Sequence, residues 1–141
     1  MSFRHKRKGR NPLNGKILVD TSVWIEFFKI DSEIGDSLAS LIINNSVIMC
    51  GIVLFELLQG VKSETERSAI LNAVSELPYI EMNNILWQKS SLLSTSLRKN
   101  GITLPVSDIL IATIALEHNI SIFTLDKHFE SISGVALYKL R

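Results

Sequence analysis

The chain has 141 residues, of which 46% are hydrophobic and 21% charged, and its formal net charge is +1. That length fits one domain with a sizeable core, and the balance of apolar and charged residues excludes a disordered chain. No apolar run approaches the roughly 18 residues that span a bilayer, and a lone Cys50 excludes an internal disulfide framework and most thiolate metal sites.

The chain begins with a basic stretch. Arg4, Lys6, Arg7, Lys8, Arg10 and Lys16 are six of its fifteen basic residues, with no acid among them, so the remainder carries nine basic residues against fourteen acids, a net of −5. A basic arm ahead of an acidic body suits contact with nucleic acid, because phosphate binding releases counterions; a solvated leader has the same composition. The apolar run that follows is too short for a secretory signal, so a cytoplasmic protein is expected. Residues 1–15 read as a flexible arm and 16–141 as a single domain, separated by the turn-rich Asn11-Pro12-Leu13-Asn14-Gly15.

Ile17-Leu18-Val19 is a short run of the kind a buried strand uses. It stops at Asp20, and Ser22 offers an N-cap for a helix with apolar positions Val23, Trp24, Phe27 and Phe28. An amphipathic helix is expected across Asp31 to Asn45, then a strand Val47–Cys50 and a short helix closed by Gly60. Ser63 to Glu76 has helical spacing, Tyr79 to Met82 strand character, and a long helix runs from a cap at Asn84 to Asn100-Gly101. A further helix spans Asp108 to Glu117, a strand Ser121 to Thr124, and a last strand Val135 to Leu140. This alternation predicts an α/β sandwich on a mostly parallel sheet.

Four acids stand at awkward places. Asp20 and Asp126 each follow a strand, at the edge where open parallel sheets bind ligands. Glu56 lies among Ile52 to Phe55 and Leu57-Leu58, where a carboxylate is costly unless paired or bound to a metal. Asp108 opens its helix on the core side, favoured by the helix dipole. Taken singly, turn chemistry, capping or an internal ion pair explains each of them. Converging in one cleft, they would repel and raise one another's pKa, a conflict that Mg²⁺ or Mn²⁺ resolves through oxygen ligands. Such a site serves phosphodiester hydrolysis. Other chemistry is sparse: His5 lies in the arm, His118 at a helix end and His128 in a polar turn, with no phosphate loop or nucleophile elbow.

Ile17-Leu18-Val19-Asp20-Thr21-Ser22-Val23-Trp24-Ile25 resembles the opening motif of PIN-domain proteins. Phe55-Glu56-Leu57-Leu58-Gln59-Gly60, Ser107-Asp108-Ile109-Leu110-Ile111-Ala112-Thr113-Ile114-Ala115 and Thr124-Leu125-Asp126-Lys127-His128-Phe129 resemble the three acidic motifs that follow. In order, spacing and length the set is similar to the VapC-type toxins of bacterial toxin–antitoxin pairs. The resemblance covers about residues 16–141 and implies a three-layer α/β/α fold with about five strands. It also implies an Mg²⁺- or Mn²⁺-dependent endoribonuclease whose metal site is Asp20, Glu56, Asp108 and Asp126, with Ser22 and Thr124 orienting carboxylates or water. A homodimer and a cognate antitoxin that occludes the site are implied as well. Two departures stand out: Leu125 replaces an Arg of many relatives, and the basic arm is longer than usual.

Metal-assisted RNA hydrolysis is therefore the expected function. A non-catalytic module that binds RNA or protein on the same fold is the alternative, disfavoured because unused buried carboxylates cost stability. A phosphotransfer domain fits less well: a dehalogenase-type site needs Asp where Ser22 stands, and a receiver-like site needs an acidic pair at its first strand. Trp24, Phe27, Phe28 and Trp87 have the helical spacing of core residues, with an exposed dimer or antitoxin surface as the other reading.

Overall fold

The computed structural model describes residues 13–140. Four short strands form one parallel sheet: β1 (Ile17–Val19), β2 (Val47–Cys50), β3 (Tyr79–Ile80) and β4 (Ser121–Phe123), in the order β3-β2-β1-β4. Every residue of β1 and β2 is buried, which is what an apolar parallel strand covered on both faces requires. Six helices cover the sheet: α1 (Thr21–Phe27), α2 (Glu33–Ile43), α3 (Gly51–Gln59), α4 (Glu64–Val74), α5 (Asn84–Lys99) and α6 (Val106–His118). The chain passes from β1 outward through β2 to β3, then returns to place β4 on the other side of β1. The order reverses there, so the carboxyl ends of β1 and β4 flank the crevice where such sheets bind ligands.

The helix starts follow local chemistry. Ser32, Ser63 and Asn83 accept hydrogen bonds from the backbone N–H of Gly35, Glu66 and Leu86, so capping begins one residue ahead of Asn84. The end of α6 is turned by Asn119, which adopts the left-handed conformation Asn tolerates. Gly60 ends α3 in a right-handed conformation, so the freedom of glycine is not used there.

The parallel α/β architecture is as expected, with four strands in place of about five. Val135 to Leu140 makes a single bridge, Leu137 to Ile122, held by hydrogen bonds from Ile122 N to Ala136 O at 2.9 Å and from Tyr138 N to Ile122 O at 2.8 Å. One such repeat does not extend a ladder. Tyr79 to Met82 also shortens, to Tyr79–Ile80. Trp24 is fully buried and Phe27 half-buried beside it, whereas Phe28 and Trp87 are exposed. The aromatic positions are thus divided between core and surface. Leu13 to Gly15 form the expected turn before β1, and residues 1–12 of the basic arm lie outside the described residues.

Candidate active site

Asp20 leaves β1 and takes the N-cap position of α1, so α1 begins at Thr21 and Ser22 sits inside its first turn. The capping role expected of Ser22 therefore falls to another purpose. Its hydroxyl donates to Asp20 Oδ2 at 2.9 Å and accepts from Leu125 N at 3.0 Å. The Thr124 hydroxyl, at the end of β4, donates to the same oxygen at 2.7 Å and accepts from Asp126 N at 2.9 Å. Asp20 is 5% exposed. The two hydroxyls thus lock its carboxylate and stitch the ends of β1 and β4 together.

Asp126 caps a 3₁₀ turn, Lys127–Ser131, by accepting from His128 N at 2.9 Å. Phe129, fully buried, anchors that turn in the core. The turn swings His128 over the start of α6, where Nδ1 lies 2.7 Å from Asp108 Oδ2 and 3.1 Å from Asp126 Oδ1. Asp108 is the third residue of α6 and 7% exposed. Burial raises its pKa above the ordinary carboxylate value, aided by the charges of Asp126 and Asp20 and opposed by the His128 hydrogen bond. The Asp108 hydrogen bond in turn raises the pKa of His128, with the nearby acids adding to it. The His128 shift reflects the acids around it, and that of Asp108 chiefly its burial.

Glu56, on α3, accepts from the Thr21 hydroxyl at 2.7 Å. It is half-buried, because its neighbour Phe55 faces solvent while Val53 and Leu57 turn inward. It borders an apolar groove of about 520 Å³ lined by Ile25, Phe28, Leu57, Val61 and Ile70. Both Asp20 and Glu56 push up the pKa of Cys50 at the end of β2, beneath a larger rise from burial.

The structure thus brings Asp20, Asp108 and Asp126 into one network with Ser22 and Thr124, and attaches Glu56 to its edge through Thr21. Among the described residues, no Lys or Arg forms a salt bridge with any of the four. Asp108, Asp126 and His128 each offer a ligand atom, all within 4.8 Å of one another, as binding of a single cation requires. This oxygen and imidazole set fits a divalent ion. His128 was missed as a site residue from the sequence; its one signal there is a position two residues after an acid that ends a strand.

The chain is similar to known proteins over most of its length. The PIN domain family model matches residues 17–135. Ribonuclease VapC1 of Methanocaldococcus jannaschii is 32% identical over 131 residues, covering 87% of this chain and 87% of that protein. VapC ribonuclease Mb1587 of Mycobacterium bovis is 24% identical over 124 residues, covering 84% and 92%. A crystal structure of VapBC2 from Rickettsia felis, bound to a DNA fragment from its promoter, superposes with a TM-score of 0.75 at 25% identity, covering 86% of this chain and 96% of that one.

Proposed function

The chain belongs to the PIN-domain family, and from that we propose that it is a metal-dependent endoribonuclease, the toxin of a type II toxin–antitoxin pair. The observation that carries this reading is a carboxylate network at the sheet's switch point that, among the described residues, no Lys or Arg pairs with and that only the His128 imidazole meets. Curated relatives of nearly the same length are ribonucleases.

Asp20, Glu56, Asp108 and Asp126 would hold the cation, Mg²⁺ or Mn²⁺, and are the catalytic residues of this proposal. When bound, it supplies positive charge to the phosphodiester and lowers the pKa of an attacking water. Ser22 and Thr124 hold Asp20 Oδ2 by hydrogen bonds, so the Oδ1 edge of that carboxylate is presented in a fixed direction. Thr21 does the same for Glu56 through Oε1. Burial of Asp20 and Asp108 thins the water around the site, which strengthens every charge interaction within it. The exposed His128 and Leu125 mark the open side, where a backbone phosphate enters.

The apolar groove beside Glu56 suits a partner protein. With Ile25 half exposed and Phe28 at its rim, a hydrophobic segment seated there would cover the Glu56 side of the site. A cognate antitoxin is the partner this reading assigns, and a homodimer the assembly. Residues 16–141 act as the single nuclease domain, preceded by the basic arm.

The test is incubation of purified, partner-free protein with a panel of structured RNAs, transfer RNAs included, in EDTA, Mg²⁺ or Mn²⁺. Internal cleavage that requires the cation is the expected result. RNA binding without cleavage at any metal concentration would establish the non-catalytic module instead.

A further inference from the structure

The all-oxygen site read from the four acids leaves out the side chain that lies nearest two of them. His128 Nδ1 is 2.7 Å from Asp108 Oδ2 and 3.1 Å from Asp126 Oδ1, and the three ligand atoms fall within 4.8 Å of one another. Adjacent donors around a six-coordinate ion with bonds of about 2.1 Å are separated by about 3.0 Å, so the distances of His128 Nδ1 from Asp108 and Asp126 are those of neighbouring ligands on one ion.

The ring is held there by structure on both sides. Asp126 Oδ1 accepts from the His128 backbone N–H at 2.9 Å, Ser131 Oγ donates to its carbonyl at 2.7 Å, and the next residue, Phe129, is buried in the core. The side chain is 47% exposed, so an ion can reach it from solvent. It occupies the mouth of the site and faces the buried Asp108 across it.

Resting on the nuclease reading above, we infer that His128 is a nitrogen ligand of the same cation, making the site a mixed imidazole and carboxylate site that selects Mn²⁺ over Mg²⁺. Mg²⁺ is small, hard and reluctant to give up water for nitrogen, whereas Mn²⁺, though the weakest binder of the first transition row, accepts an imidazole more readily than Mg²⁺ does. An imidazole in place of a fourth or fifth oxygen therefore shifts the balance towards Mn²⁺. The same ring brings no negative charge, so it adds a donor without adding to the repulsion among the acids.

The test is direct binding, without RNA. Mn²⁺ is titrated into the protein by electron paramagnetic resonance, Mg²⁺ is added as competitor, and three-pulse echo modulation of bound Mn²⁺ reports coordinated nitrogen. Wild type is expected to show one bound Mn²⁺ with nitrogen modulation. In His128→Ala the modulation disappears and the preference for Mn²⁺ over Mg²⁺ falls about tenfold or more. His128→Gln, which keeps a hydrogen-bond donor towards Asp108 but no ring nitrogen, gives the same loss, and circular dichroism verifies that both variants are folded. Bound Mn²⁺ that is lost in Asp108→Asn yet shows no nitrogen coupling, or coupling that survives in His128→Ala, overturns the role of His128 and leaves the carboxylate site intact. Failure of the folded wild type to bind Mn²⁺ at all overturns both.

Discussion

Replacing Thr124 by Val keeps the shape of the side chain and removes its hydroxyl, which makes it a sharp probe of how Asp20 is held. The hydroxyl donates to Asp20 Oδ2 at 2.7 Å and accepts from Asp126 N at 2.9 Å. A hydrogen bond to a charged group contributes about 1.5–3 kcal/mol and a neutral one about 0.5–1.5 kcal/mol. The Ser22 hydroxyl remains on Asp20, at 2.9 Å, and limits the damage. A net loss of about 2–4 kcal/mol is expected in metal-free protein. A chain of this length shifts by about 3 °C per kcal/mol, so Tm should fall by about 6–12 °C. Thermal melts of wild type, Thr124→Val and Thr124→Ser in EDTA provide the assay, with the serine variant recovering most of the loss. RNA cleavage by Thr124→Val should also fall about 10–100-fold, as expected when a carboxylate loses its orienting partner. A valine variant that melts within about 2 °C of wild type and cleaves normally would refute the reasoning.

Further outcomes follow from the packing. A Cβ on Gly35 would sit 2.7 Å from Glu26 O and 3.0 Å from Phe27 Cα, both backbone atoms of α1. Gly35→Ala should therefore lose about 1–3 kcal/mol to overpacking, more than the roughly 1 kcal/mol it gains in helix propensity, and its urea midpoint should drop. Burial pushes the Cys50 thiol up to about 11. Its folded pKa lies above the unfolded value, so its contribution to stability is complete below the ordinary thiol range and is lost as pH climbs through about 11. A thiol reagent at about pH 8 should leave folded protein unlabelled and titrate one thiol after denaturation. Ile25 is 50% exposed at the groove. Ile25→Glu should leave the melting curve within about 0.5 kcal/mol of wild type while weakening co-purification of the antitoxin.

The sheet was legible because its strands are short apolar runs that end abruptly in a polar residue, as Ile17 to Val19 end at Asp20 and Ile122-Phe123 at Thr124. Their order was not, since nothing local says that β4 returns to the far side of β1. The last strand failed for a similar reason: Val135 to Leu140 has strand composition, but pairing is decided by how long the segment stays beside β4, and it leaves after one bridge. Each acid was visible as a carboxylate in an unusual setting, and the structure gives each a named hydrogen-bond partner. Glu56 proved less enclosed than its six apolar neighbours suggested, because Phe55 turns to solvent. Ser22 was read as a helix cap and, through the resemblance, as a residue that orients a carboxylate; its hydroxyl donates to Asp20 Oδ2, and the bond it accepts from Leu125 N, between residues 103 positions apart, was not legible. His128 was hidden for the same cause. Its contact with Asp108 depends on a 3₁₀ turn anchored by Phe129, and in the sequence it is only a histidine in a polar turn.

The central claim is that the four acids form one cation-dependent cleavage site. The most direct measurement is single-turnover RNA cleavage in Mn²⁺ by Asp20→Asn, Glu56→Gln, Asp108→Asn and Asp126→Asn, each isosteric and each checked for folding. Loss of about 100-fold or more in every variant, with wild type equally silent in EDTA, is the predicted result. Cleavage that persists in EDTA, or that survives the loss of Asp20 and Asp108, would contradict it.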